Sequence, residues 1–237
     1  MNQLDVSRRA FVIGAVTVAA AAAPSGASAA DAPPPAPAPP GLDDAVPFHF
    51  DRAAFSALLG RPNDHRQVVA AKSFADARDG LRLMRNSIEA YIDPMYFAGG
   101  PNALHAAAVF YHGSSPLLAL DDAMFAKYPL ASAIIMFAGT AKAGIEKDAR
   151  VNPEALLYGE LVAKHGASFF VCNNALSGIA SWIAQQIAPA GSQTTRDRVI
   201  AIHDELVQHF LPGATLVPAG VAALNAAQEA RFTFLPT

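Results

Sequence analysis

The chain holds one thiol, Cys172, in the run Val171-Cys172-Asn173-Asn174-Ala175-Leu176. The run Ser168-Phe169-Phe170-Val171 predicts a buried strand before it, and Leu176 to Ile187 predicts a helix after it. Reactive groups in a parallel α/β sheet gather at the carboxyl ends of the strands. Either asparagine is a suitable cap for the helix. A thiol at a helix N-terminus sits where the macrodipole favours negative charge, which suits a nucleophilic thiolate. The alternative is a buried structural cysteine, since free cysteine is among the most buried residue types. With no second cysteine, no internal disulfide forms and the fold rests on its core.

A second strand end carries Phe110-Tyr111-His112-Gly113-Ser114-Ser115-Pro116. His112 is the candidate proton-transfer or thiolate partner for Cys172, provided the two strands are neighbours. The alternative is a histidine satisfied by local backbone groups. The serine pair resembles a helix cap, and Pro116 suits a first helical turn. The Gly-Ser-Ser turn could also offer backbone N–H groups to an anion. Other chemical signatures are missing: no Gly-x-Gly-x-x-Gly fingerprint, no Walker loop, no His-Glu-x-x-His. Ser177 lies in Leu-Ser-Gly, which lacks the nucleophile-elbow pattern. The seven histidines are scattered, and no ligand spacing joins any of them to Cys172. No metal and no cofactor is therefore expected.

The elements that must position these residues follow from periodicity and punctuation. Residues 51–59 predict a short helix capped by Asp51. Gln67 to Ala71 predicts a strand, and Asp76 to Ile92 a long helix with Leu81, Met84 and Ile88 at helical spacing. Ala103 to Tyr111 predicts a buried strand and Asp121 to Tyr128 a helix. Residues 129–150 fit strand or helix. Pro153 to His165 predicts a helix ended by Gly166. Arg198 to Phe210 is helical, Ala214 to Val217 a strand, Val221 to Ala230 a helix and Arg231 to Leu235 a last strand. Strands alternating with helices imply an α/β fold, a small Rossmann-like and mainly parallel sheet with helices on both faces.

The N-terminal segment reads as an address. Ser7-Arg8-Arg9-Ala10-Phe11-Val12 matches a twin-arginine export signal, followed by an Ala/Val-rich stretch to about Ala23 and a small-residue cleavage site at Ala27-Ser28-Ala29. The stretch falls short of the ~20 apolar residues that a permanent transmembrane helix requires. Residues 1–29 are thus a signal peptide, and no stable membrane insertion is expected after cleavage. Residues 30–47, rich in Pro and Ala, predict a disordered linker. Residues 48–237 form a single domain. Removing the signal takes away two arginines and one aspartate, leaving a net charge near −4 with no basic run. That excludes a nucleic-acid partner, whose phosphates demand a positive footprint.

From about residue 66 to residue 237 the chain resembles the DsrE-like family of sulfur-relay proteins. The resemblance rests on Leu83-Met84-Arg85-Asn86, on Ala107-Ala108-Val109-Phe110-Tyr111-His112-Gly113 and on Leu161-Val162-Ala163-Lys164-His165-Gly166. It continues through Phe169-Phe170-Val171-Cys172-Asn173-Asn174-Ala175-Leu176 and Leu211-Pro212-Gly213-Ala214-Thr215-Leu216-Val217-Pro218-Ala219-Gly220-Val221. The resemblance implies a homo-oligomer, trimer or hexamer, and a persulfide carried on Cys172 between a sulfur donor and an acceptor protein. The export signal departs from the family, whose sulfur carriers are mostly cytoplasmic. Three function classes follow: a periplasmic sulfur carrier or sulfurtransferase using Cys172, a non-catalytic binding or assembly module on the same fold, and an accessory protein holding a metal or small cofactor.

Overall fold

The computed structural model describes residues 45–138, 144–189 and 194–237. The signal peptide and residues 30–44 of the linker lie outside the described residues. Helix α1 (Arg52–Leu59) begins where the Asp51 side chain accepts the Ala54 N–H. Strand β1 (His65–Ala71) leads to α2 (Phe74–Ile92), which opens on a reciprocal capping box between Ser73 and Asp76. Strand β2 (Leu104–Phe110) runs into a 3-10 turn at Ser115–Ala119, then α3 (Asp122–Lys127) and α4 (Leu130–Ala138). The ambiguous stretch after residue 129 is thus helical at its start. Helix α5 (Ala155–His165) ends on Gly166 in the left-handed region, φ 62°, as its sequence predicts.

Strand β3 (Ser168–Cys172) passes directly into α6 (Asn173–Gln186), followed by α7 (Arg196–Gln208), β4 (Ala214–Val217), α8 (Gly220–Glu229) and β5 (Thr233–Pro236). The five strands form one all-parallel sheet in the order β4-β3-β2-β1-β5. No described helix is long and apolar enough to cross a membrane.

Successive strand side chains point to opposite faces. In β2, Ala106, Ala108 and Phe110 join the larger core with Leu81, Met84 and Tyr158, while Ala107 and Val109 join the smaller one with Phe55, Phe170 and Ala223. Helices therefore cover both faces, and the central strands read as unbroken apolar runs because neither face meets water.

The linker boundary needs correction. Val46 is 1% exposed; its N–H donates to Ser177 Oγ at 2.9 Å and its carbonyl accepts from Asn173 Nδ2 at 2.8 Å. Arg196 donates to the Ala45 carbonyl at 2.8 Å. The chain is thus already part of the domain at residue 45. The reason is burial: one valine side chain removed from water is worth ~1.5–3 kcal/mol, and both backbone groups find partners.

Candidate functional site

Cys172 closes β3 and occupies the N-cap position of α6, with no gap between strand and helix. The expected capping by an asparagine does not occur. Both Asn173 and Asn174 lie inside the helix, and no side chain caps it. The cysteine is free and 4% exposed. It pairs with Val217 of β4, while Val171 pairs with Phe110 of β2, so β2 and β3 are neighbours. Tyr111 therefore leaves the sheet beside Cys172, held by its N–H to the Ala71 carbonyl at 3.2 Å.

The third wall is α8. A Cβ built on Gly220 would stand 2.2 Å from Tyr111 Cβ and 3.2 Å from Cys172 Cβ. Only a residue without a side chain lets the helix start this close to both strand ends. Ala219, at the N-cap of α8, makes no side-chain cap either. The thiol thus lies against the N-termini of two helices, each of which favours negative charge. Tyr111 and Gly220 escape a search for reactive residue types. The available signal is a glycine three residues past a strand end, in Val217-Pro218-Ala219-Gly220, at the start of the next helix, which suits close backbone approach.

His112 stands one residue beyond Tyr111 on the neighbouring strand end, and its side chain is exposed. Its ring meets Tyr111 edge-on, centroids 6.5 Å apart. Its carbonyl accepts from Ser115 Oγ at 2.8 Å. The serine pair is spent on the fold: Ser114 Oγ accepts the Phe74 N–H at 3.0 Å, and neither serine caps the following turn. Pro116 does sit in the first turn.

Behind Cys172 lies a buried polar cluster with a structural task. Asn173 Nδ2 donates to Val46, so its Oδ1 faces His203 Nε2 at 2.8 Å. That geometry assigns the proton to Nε2. Burial pushes the His203 imidazole below its usual range, against the opposing pull of Asp204, whose Oδ1 stands 3.3 Å from Nδ1. Two other histidines are likewise structural. His105 Nε2 meets Ser168 Oγ at 3.0 Å between strands, and His209 Nδ1 meets Asp121 Oδ2 at 2.8 Å. Burial, then Arg61 and Arg66, push His105 down to about 4. Among the described residues no group of three or more His, Cys, Asp or Glu side chains is placed to hold a metal ion.

The arrangement can do one kind of covalent chemistry, that of a single sulfur nucleophile beside positive helix ends. Comparison with protein-family models, curated proteins and solved structures returned no match.

Proposed function

We propose that this chain is an exported, DsrE-like sulfur carrier that holds sulfane sulfur on Cys172 as a persulfide. The observation behind this reading is the placement of the sole thiol at the carboxyl edge of the sheet, against two helix N-termini. In the loading step the Cys172 thiolate attacks the outer sulfur of a sulfane donor such as thiosulfate. The new S–S bond forms as the donor's S–S bond breaks. The bonding pair leaves with sulfite, and the negative charge stays on the persulfide, so no outside oxidant is required. An acceptor thiolate removes the outer sulfur by the reverse logic. The exposed imidazole of His112, on the adjacent strand end, is the candidate proton carrier for the exchange. The carrier works as a homo-oligomer in the periplasm, reached through the twin-arginine signal.

A second reading, a binding or assembly module, draws on the 4% exposure of Cys172 beneath Tyr111 and Gly220. Intact mass separates the two. After thiosulfate or polysulfide, the wild type gains the mass of sulfur, a reductant removes it, and Cys172→Ser gains nothing. If the native protein gains no sulfur and Cys172 resists alkylation, the carrier reading fails and the module reading replaces it.

A further inference from the structure

The chain enters the domain as a strap across the turn that carries Cys172. The Ala45 carbonyl accepts from Arg196 Nη2 at 2.8 Å. The Val46 N–H donates to Ser177 Oγ at 2.9 Å, and its carbonyl accepts from Asn173 Nδ2 at 2.8 Å. Asn173 and Ser177 stand four residues apart and so share one face of α6. Val46 therefore spans the first turn of that helix, and Cys172 is the N-cap of the same turn.

The strap also joins the two faces of the sheet. Val46 packs into the larger core. Phe50 packs on the smaller one, its ring 5.6 Å from Phe55, which meets Phe170 edge-on at 5.0 Å. Only Pro47, Phe48 and His49 lie between, so the chain crosses from one face to the other beside the start of α6. Cys172, two residues beyond Phe170 in β3, points to the face that the strap crosses to.

This attachment is local. Among the described residues, no backbone-to-backbone hydrogen bond ties residues 45–49 to the domain; side chains and one buried valine do. A terminal segment held this way opens at a smaller cost than the core strands. Cys172 is 4% exposed while the strap is docked.

We propose that residues 45–49 are a strap that gates Cys172. Docked, it clamps the first turn of α6 and keeps the thiol covered. Released, it lets that turn open and admits a reagent. The gate deepens the carrier reading, because a persulfide needs cover and a way out, yet its test requires no sulfur chemistry.

The full chain is treated with iodoacetamide below its melting range, and modification of Cys172, the one thiol, is timed by intact mass. Val46→Ala and Ser177→Ala should each speed alkylation about tenfold, the factor set by losing one buried contact. Alanine is the better helix former, so Ser177→Ala would leave the rate unchanged or lower if the strap had no part in it. In Val46→Ala the amide of residue 46 should exchange its hydrogen faster by a similar factor. Ile88→Val, which weakens the core far along α2, should leave alkylation at the wild-type rate. Unchanged alkylation in the two strap variants, or equal acceleration in Ile88→Val, would overturn the gate. Gated alkylation without sulfur loading removes the carrier reading and leaves the gate; sulfur loading with ungated alkylation does the reverse.

Discussion

Gly220→Ala is the sharpest perturbation of the Cys172 site that leaves every polar group in place. The added methyl would fall 2.2 Å from Tyr111 Cβ and 2.8 Å from Tyr111 Cα. Carbon atoms in comfortable contact stand ~3.5–4.0 Å apart. Neither obstacle is the end of a flexible chain, so no side-chain rotation relieves the clash. The Tyr111 backbone is itself tied to Ala71. Helix α8 must therefore retreat from the sheet. Overpacking of this kind costs ~1–3 kcal/mol, while the better helix propensity of alanine returns at most ~1 kcal/mol. A net loss of about 2 kcal/mol lowers the melting temperature by about 4–8 °C in a domain of this size. Retreat also uncovers the thiol, so native-state alkylation of Cys172 should be faster in the variant. Thermal melts and timed alkylation read the two effects separately. A variant that melts at or above the wild-type temperature, with an unchanged alkylation rate, would refute the seating of α8 on Tyr111 and Cys172.

Other perturbations have equally definite outcomes. His105 titrates at about 4 when folded and near 6.5 when unfolded, so the unfolded chain takes up the proton first as pH falls. Its contribution is complete above the unfolded value and is lost progressively down to about pH 4, for a total of about 3 kcal/mol. Urea midpoints across that window should drop in the wild type and drop less in His105→Gln; equal slopes would remove His105 as a cause. Deleting residues 31–47, harmless if all were a solvated tether, should cost about 2 kcal/mol because Val46 leaves its pocket. Ser177→Ala, which strips the acceptor from the Val46 N–H, should cost about 1–2 kcal/mol in the same unfolding assay. Replacing Arg8 and Arg9 by lysine should leave precursor in the cytoplasm, and an undiminished periplasmic yield would rule out twin-arginine export.

Local features were legible in the sequence wherever the physics is local. The Asp51 cap, the Gly166 terminus and the unbroken apolar run of β3 depend on residues within one turn or one strand, and each lies where its pattern predicts. The strand leading to Cys172 was readable, but the helix expected from Leu176 begins three residues earlier, at Asn173. The parallel α/β class followed from the alternation of elements. Residues 129–150 were not legible, because a short apolar run has the same pattern in a buried strand and a buried helix.

Tertiary structure alone decided what surrounds the thiol. Sequence proximity favoured Asn173 and Asn174 as caps, yet Asn173 turns to a segment 127 residues away, and Cys172 itself takes the cap position. The same packing draws Val46 out of the linker. Tyr111 and Gly220, distant in sequence from Cys172 and from each other, stand against the cysteine. The order β4-β3-β2 makes these neighbours, and that order follows from burying two apolar faces at once. Such a choice minimises exposed area over the whole chain, so no window of the sequence contains it.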